Sequence, residues 1–284
     1  MIPGGFDYHR PASVDAALSV LSEYGDDARV IAGGHSLIPM MKLRMADVAH
    51  LVDLQDIDSL KGISIGGGRV TIGAMTTQHE IIESDALASA APILREAALQ
   101  IADPQVRYVG TIGGNVANGD PGNDMPGLCQ ALDASFHLTG PDGSREVAAR
   151  AFYEAAYMTA RADEEILTAI SFDATTGGYA YEKQKRKIGD YATAASAVLI
   201  TKDGGSVASA SVAMTNLADT PIFSDAAGAA LVGTSCGPED IANAVALAVA
   251  DIDPAEDNRG PVEFKRHVAG VMLTRAIERA WSRA

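Results

Sequence analysis

Cysteine is scarce in this chain of 284 residues, which contains only Cys129 and Cys236. The two stand more than a hundred positions apart, and neither has a second cysteine at the spacing of a metal site. Iron-sulfur clusters and zinc knuckles take several closely spaced thiolates, so the chain cannot supply the cysteine ligands of either. We expect both cysteines to be inert and partly buried.

Positive charge is also scarce. Lysine and arginine total 22 against 37 aspartates and glutamates, which gives a formal net charge of -15 at pH 7. Nucleic acids and anionic lipid surfaces are bound through clustered positive charge and the release of counterions. Neither is therefore expected as a partner.

Long hydrophobic runs are missing. The first ten residues lack the basic and apolar regions of a secretory signal, and no window reaches the ~18 continuous apolar residues of a membrane span. These features predict a cytoplasmic protein without a membrane span.

The composition is otherwise that of a globular protein, with 47% hydrophobic and 21% charged residues. The length suits two domains. Periodicity predicts a small β/α unit over about 1–55, a mixed region over 56–175, and an antiparallel sheet followed by helices over 176–284. The expected class is α+β with an α/β-containing part.

Capping and turn signals place the elements that surround the motifs. Ser13 is expected to cap a helix that ends at Gly25, and Thr77 with Glu80 has the pattern of a capping box. The alanine-rich stretch 90–101 predicts one helix, which leads into a long polar loop over 103–124 and then a helix over 125–132.

Two glycine-rich turns are the clearest candidates for a binding site. They are Ala32-Gly33-Gly34-His35-Ser36 and Gly110-Thr111-Ile112-Gly113-Gly114-Asn115. Paired glycines permit positive φ and close backbone approach, so that successive N–H groups can converge on a phosphate. Neither turn is a GxGxxG or Walker sequence, which removes the support for a Rossmann NAD site or a P-loop. The alternative is that each glycine pair only makes a tight turn.

Three further features admit both a structural and a functional interpretation. Asp124 precedes a predicted helix, so it either caps that helix or accepts a hydrogen bond from a ligand. Residues 183–187 form the only basic cluster, which is either a solvated strand end or a patch that faces a ligand or an acidic partner. Tyr191 follows this cluster, and its ring could stack on a planar heterocycle.

Candidates for nucleophilic or metal chemistry are absent from the pattern. No Gly-x-Ser-x-Gly elbow occurs, and Cys129 lies in a predicted apolar helix. His35 has no other histidine at ligand spacing. We therefore predict no catalytic side chain and no metal ligand in this chain.

Several longer motifs extend these features along nearly the whole chain. They are Ile2-Pro3 with Phe6-Asp7-Tyr8-His9, the segment 32–39 (AGGHSLIP), the segment 101–107 (IADPQVR), the segment 110–115 (GTIGGN), the segment 119–124 (GDPGND), Tyr181-Glu182-Lys183, and the segment 185–194 (KRKIGDYATA). In these motifs the sequence resembles the FAD-binding medium subunits of molybdenum hydroxylases. Within that family the resemblance is closest to the branch that oxidises carbon monoxide.

The resemblance implies a two-part FAD-binding domain of the vanillyl-alcohol-oxidase/PCMH type over 1–175, with subdomains near 1–55 and 56–175. A C-terminal domain over 176–284 then carries an antiparallel sheet and helices. The resemblance implies FAD as the cofactor. No iron-sulfur cluster is expected beside it, because the branch with an extra cluster in this subunit needs cysteines that the chain lacks. The resemblance assigns the pyrophosphate to the two glycine turns, a cofactor contact to Asp124, and a place near the isoalloxazine to Tyr191. The full set of expected cofactor-binding residues is Ala32, Gly33, Gly34, His35, Ser36, Leu37, Ile101, Gly110, Thr111, Ile112, Gly113, Gly114, Asn115, Asp124, Lys183 and Tyr191.

The same resemblance implies partners. An iron-sulfur small subunit would deliver electrons, a large subunit would carry the molybdenum cofactor, and an external acceptor would take the electrons; the expected assembly is a dimer of heterotrimers. Three alternatives stay open at this point: a related hydroxylase acting on an N-heterocycle or an aldehyde, a stand-alone flavin oxidase, and an acidic scaffold without a cofactor.

Overall fold

The computed structural model describes residues 2–284, and the chain begins with a small α/β unit. Its three strands form a parallel sheet in the order β1-β3-β2, with the helices between them. The elements are β1 (Asp7–His9), α1 (Val14–Tyr24), β2 (Ala28–Ile31), α2 (Leu37–Lys42) and β3 (His50–Asp53).

The boundaries of α1 follow the capping signals. The Ser13 side chain accepts a hydrogen bond from the N–H of Ala16, and Gly25 ends the helix at φ 50°. Ala17, Leu18 and Leu21 face the core at helical spacing. The helix predicted between Ser13 and Gly25 is therefore confirmed.

The central part of the chain contains a five-stranded antiparallel sheet in the order β4-β5-β10-β6-β7 and six short helices. The strands are β4 (Ile63–Gly66), β5 (Arg69–Gly73), β6 (Ser135–Gly140), β7 (Gly143–Ala148) and β10 (Ile166–Asp173), with the small pair β8 (Tyr153–Ala155) and β9 (Met158–Thr159) beside them. The helices are α3 (Gln78–Glu83), α4 (Asp85–Ala90), α5 (Pro92–Ala98), α6 (Pro104–Val109), α7 (Ile112–Ala117) and α8 (Asp124–Ala131). The Thr77–Glu80 capping box is confirmed at the start of α3.

The helix expected over 90–101 is present as α5 but is shorter, because Ala90 ends α4 and Pro92, which cannot donate a backbone hydrogen bond, starts α5. Another prediction in this central part is wrong. The long loop expected over 103–124 contains α6 and α7. The side chain of Asp103 caps α6 and that of Thr111 caps α7.

The C-terminal part is an antiparallel sheet covered by helices, as predicted. Its four strands lie in the order β11-β12-β13-β14, and α11 packs on β11 and β12. The elements are β11 (Gly178–Gln184), β12 (Ala194–Asp203), β13 (Ser206–Thr215), β14 (Ile222–Phe223), α9 (Asp225–Leu231), α10 (Pro238–Ala250) and α11 (Val262–Arg283).

The buried side chains form separate cores that correspond to these parts. The N-terminal core contains Leu21, Leu54 and also Ile166 from β10, so this unit packs against the central sheet. The central core extends past residue 175 to Tyr181 and Ala195. The C-terminal domain thus packs on the central part through buried surface, with β12 and β13 beside α8 and β11 beside α5.

Neither cysteine is available at the surface: Cys129 and Cys236 are both free and buried, as expected. Among residues 2–284, no helix combines the length and the apolar character needed to cross a bilayer.

Candidate functional site

A cleft of about 460 Å³ lies where the N-terminal unit, the central helices and the segment after β11 meet. This volume falls within the range of roughly 300–1,000 Å³ that is common for ligand pockets. Fifteen of the sixteen predicted cofactor-binding residues line it. The exception is Ile112, which is fully buried in the central core. Residues from positions 32 to 191 are thus brought to one site.

The first glycine turn connects β2 to α2 and forms one wall of the cleft. Gly34 adopts φ 73°, which favours glycine. Gly33 is held close to the second turn, since a Cβ there would lie 2.6 Å from the carbonyl oxygen of Val109. Within residues 2–284, the N–H groups of Gly33, Gly34, His35 and Ser36 have no hydrogen-bond acceptor. Four successive free donors on a cleft wall suit an anion.

The second glycine turn leads into α7 and is built differently. The N–H of Ile112 donates to Thr76 O at 2.9 Å, and that of Gly113 donates to Ala74 O at 2.8 Å. Gly114 N–H donates to the Thr111 hydroxyl oxygen. Most donors of this turn are therefore used within the protein, and its glycines serve close packing: a Cβ on Gly113 would lie 2.6 Å from Ala74 O.

A buried ion pair occupies the base of the cleft. Lys183 Nζ donates to Asp124 Oδ2 at 2.7 Å, and the two side chains are only 1% and 5% exposed. The fully buried Tyr181 hydroxyl donates to the other Asp124 oxygen. Burial is the main cause that raises the pKa of Tyr181 well above its ordinary value, so the phenol stays protonated as a donor.

This geometry removes the helix-cap interpretation of Asp124. It removes the interpretation as a solvated strand end for Lys183 alone, since Arg186 and Lys187 of the same cluster are exposed. Asn123 occupies the N-cap position of α8, Asp124 is the first helical residue, and no side-chain cap is formed. Asp124 is therefore not a helix cap. Lys183 is not a solvated strand end, because its ammonium group is buried against a carboxylate.

Tyr191 stands at the mouth of the cleft, in the segment between β11 and β12. Its ring packs on Gly122, where a Cβ would lie 2.9 Å from the ring. Burial, with the nearby Asp120, raises the pKa of Tyr191 to about 12. The preceding Asp190 carboxylate lies 2.8 Å from Arg186 Nε and 3.7 Å from Arg259 Nη2, which ties this segment to the connector before α11.

Several cleft residues were not predicted from the sequence. Gln78 lines the cleft, and both polar atoms of its amide are buried without a partner in the described chain, as is Asn115 Oδ1. Arg29 and Arg161 also line the cleft. Arg29 lies in a short strand and Arg161 in an irregular segment, and neither context carries a motif that would distinguish these arginines from surface ones.

The site offers binding groups rather than a nucleophile. Burial raises the pKa of Cys129 to about 12, so its thiol is not ionised at neutral pH. Free N–H groups, unpartnered buried amides and a buried lysine fit a ligand that carries phosphate and a polar heterocycle. FAD has both, so the residues present fit this cofactor.

Comparison with known proteins agrees with this chemistry. The family model of the FAD binding domain in molybdopterin dehydrogenase matches residues 4–172, and that of the CO dehydrogenase flavoprotein C-terminal domain matches residues 179–280. The chain is 58% identical to the carbon monoxide dehydrogenase medium chain of Afipia carboxidovorans, over 100% of this chain and 99% of that one. It is 45% identical to the medium chain of the same name from Hydrogenophaga pseudoflava, again over 100% and 99%.

A solved structure matches along the whole chain as well. Reconstituted CO dehydrogenase from Oligotropha carboxidovorans contains a chain that superposes with a TM-score of 0.99 at 58% identity, covering 100% of both chains. The predicted class, a two-domain FAD-binding fold of mixed helices and antiparallel sheets, is confirmed by these matches.

Proposed function

Because this chain belongs to the family defined by the FAD binding domain of molybdopterin dehydrogenases, we propose that it is the flavoprotein subunit of a carbon monoxide dehydrogenase. The main support for the proposal is the cleft, which offers free N–H groups and the buried Asp124–Lys183 pair to a cofactor. The chain that contains this cleft also aligns from end to end with carbon monoxide dehydrogenase medium chains.

Different residues of the cleft bind different parts of FAD. The N–H groups over 33–36 bind the pyrophosphate, with the Thr111 hydroxyl and the Asn115 amide beside them. Asp124, Lys183, Ile101 and Tyr191 surround the isoalloxazine. Ile112 supports the site from the core without touching the cofactor. Bound FAD would supply the redox chemistry, taking electrons from iron-sulfur clusters and giving them to an external acceptor.

The proposed partners are those that the similarity to carbon monoxide dehydrogenase medium chains implies: an iron-sulfur small subunit and a molybdenum-cofactor large subunit. We propose that two such heterotrimers associate and that the complex works in the cytoplasm. The alternative is that this chain is the flavoprotein subunit of a related hydroxylase that acts on an N-heterocycle or an aldehyde. The substrate of the complete complex distinguishes this enzyme from a carbon monoxide dehydrogenase.

We also propose a domain division at about residue 175, with 1–175 as the FAD-binding domain and 176–284 as the C-terminal domain. The FAD-binding domain divides again near residue 55. Separate N-terminal and C-terminal cores support this division. The shared burial of Tyr181 in the central core makes the two domains one packed body at the cleft.

Coexpression of the chain with two candidate partner subunits tests the proposal. We expect one FAD per chain, iron-sulfur clusters and molybdenum in a copurified complex, with a mass equal to two heterotrimers. A colourless complex, or a chain that never copurifies with the partners, would refute the proposed function.

A further inference from the structure

Strand β11, which carries Tyr181 and Lys183 to the base of the cleft, is an edge strand of the C-terminal sheet. Its inner side pairs with β12, where Tyr181 stands opposite Ala197. The backbone N–H and C=O of Tyr181 face the outer side, which has no neighbouring strand among residues 2–284. Such groups on a strand edge take their partners from outside the sheet.

Glu96 of α5 and Arg279 of α11 supply these partners. The Tyr181 N–H donates to Glu96 Oε1 at 2.6 Å, and Arg279 Nη2 donates to the Tyr181 carbonyl oxygen at 2.7 Å. Arg279 Nη2 also lies 2.5 Å from Glu96 Oε1, and Arg283 Nη1 donates to Glu96 Oε2 at 2.8 Å. Hydrogen bonds to an ionised carboxylate are stronger than neutral ones, so this carboxylate ties the edge of β11 to α5 and α11.

Tyr181 connects this carboxylate to the cleft. Its hydroxyl donates to one oxygen of Asp124, and Lys183 Nζ donates to the other at 2.7 Å. Residues two apart in a strand point to the same face, so a displacement of β11 at Tyr181 would move both donors together. Glu96 itself does not line the cleft.

We propose that Glu96 is a positioning residue for the flavin site: by fixing the edge of β11 it holds Tyr181 and Lys183 against Asp124. The inference rests on the proposed function. Charges near a bound flavin change its reduction potential, and a cation there favours the reduced, more negative form. Glu96 thereby sets the potential of a cofactor that it does not touch.

The test measures the flavin of the complete complex rather than its turnover. We expect Glu96→Ala to lower the midpoint potential of the flavin, to shift its absorption maxima, and to weaken FAD binding roughly tenfold, as for the loss of one hydrogen bond to a charged group. Lys183→Met should lower the potential further, because it removes the cation itself. Glu96→Gln keeps an oxygen for the Tyr181 N–H and should lie between Glu96→Ala and wild type.

Glu182→Gln is the matched control. Glu182 pairs with the same guanidinium, at 3.0 Å from Arg279 Nη1, but it lies on β11 itself and does not bridge the strand edge to α5. Its substitution should leave the flavin potential and absorption at the wild-type values. In the double variant Glu96→Ala/Lys183→Met, the shift in potential should be smaller than the sum of the two single shifts, because both act through the same contact with Asp124.

The outcomes separate this inference from the function on which it rests. If the wild-type complex contains no flavin, the proposed function fails and the inference fails with it. If the wild-type complex contains FAD, but Glu96→Ala changes only the flavin content and leaves the potential and absorption unaltered, Glu96 has a structural role alone and the proposed function stands. Fully additive shifts in the double variant would also overturn the inference. If Glu96→Ala does not assemble, Glu96→Gln decides, since an unaltered potential there has the same meaning.

Discussion

At the scale of single residues, Gly33 shows how one position can serve both packing and binding. Its N–H is one of the free donors of the first turn, and its missing Cβ lets the turn approach Val109 and Gly110. A substitution here therefore affects the fold as well as the ligand. A bulkier residue would block phosphate and also strain the contact between the two turns.

We predict that Gly33→Ala lowers the stability of the flavin-free chain by about 1–3 kcal/mol, the usual cost of overpacking, and also weakens FAD. Urea unfolding of the apo-chain and a flavin titration measure the two effects. Gly205→Ala is the control, since a Cβ at that turn meets nothing within 4 Å. An apo-chain with unchanged stability would show that the two turns do not depend on each other.

The Asp124–Lys183 pair gives a second prediction at this scale. Asp124→Ala leaves a buried ammonium without its carboxylate, so it should destabilise the chain by about 3–5 kcal/mol. Adding Lys183→Met removes the stranded charge, and most of this stability should return. FAD affinity should remain low in the double variant, because both proposed cofactor contacts are gone.

Urea midpoints and flavin titrations of the two single variants and the double variant form the cycle that checks this expectation. Full recovery of FAD affinity in the double variant would contradict a contact between this pair and the cofactor. A double variant as unstable as Asp124→Ala would contradict the ion pair itself.

At the scale of elements, the sequence predicted those whose signals are local. Helix α1 has its cap, its apolar spacing and its terminal glycine, and helix α3 has its capping box. Helices α6 and α7 were missed because each has only six residues, and α7 contains two glycines. Tertiary contacts, such as Gly113 against Ala74, stabilise α7 where its intrinsic propensity would not.

The site was predictable to the extent that its residues lie in motifs. The glycine turns and Lys183 could be named from the sequence, but their arrangement could not. Ile112 lies within a motif yet faces the core, since motif membership does not specify the direction of a side chain. Arg29 and Arg161 lie outside every motif, and only the meeting of β2 with the segment before β10 places them together.

The segment 186–191 supplies a prediction about pH. Arg186 lowers the pKa of the Asp190 carboxyl below its ordinary value of 3.8, with Arg259 contributing to the same effect. A carboxyl whose folded-state pKa is lowered contributes stability above its unfolded-state pKa, and this contribution is lost as pH falls through the folded-state value. Asp190→Asn should therefore lower the melting temperature of the chain from neutral pH down to about pH 5.

Melting curves of the wild-type chain and of Asp190→Asn, measured between pH 7 and pH 2, test the direction of this pH dependence. The difference between wild type and Asp190→Asn should shrink below about pH 4 and approach zero at the acid end. Asp142→Asn, in the exposed turn between β6 and β7, should show no comparable difference at any pH. A difference that grows on acidification would contradict the ion pairs assigned to Asp190.

At the scale of the whole molecule, the chain is built as a platform for a redox cofactor. The N-terminal unit, the central part and the C-terminal sheet each contribute one wall of the cleft, and their cores meet around it. The buried Cys129 thiol is not ionised. In the role proposed above, electrons would come from chemistry performed on another subunit.

The proposed dependence of this chain on its partner subunits gives the last prediction. In the complete complex, carbon monoxide should bleach the flavin absorption under anaerobic conditions, because oxidation at the molybdenum subunit would send electrons through the iron-sulfur subunit to the cofactor held here. The isolated chain loaded with FAD should show no bleaching, while dithionite should bleach both samples and so show that each flavin is reducible. Asp124→Ala/Lys183→Met in the complex should reduce the flavin content without affecting the iron-sulfur signal.

If the complex carries all its cofactors but its flavin is bleached only by a purine or another N-heterocycle, the family assignment stands and carbon monoxide is the wrong substrate. If the isolated chain oxidises carbon monoxide or any other substrate unaided, it is not a subunit that depends on partners, and the role proposed for it is wrong.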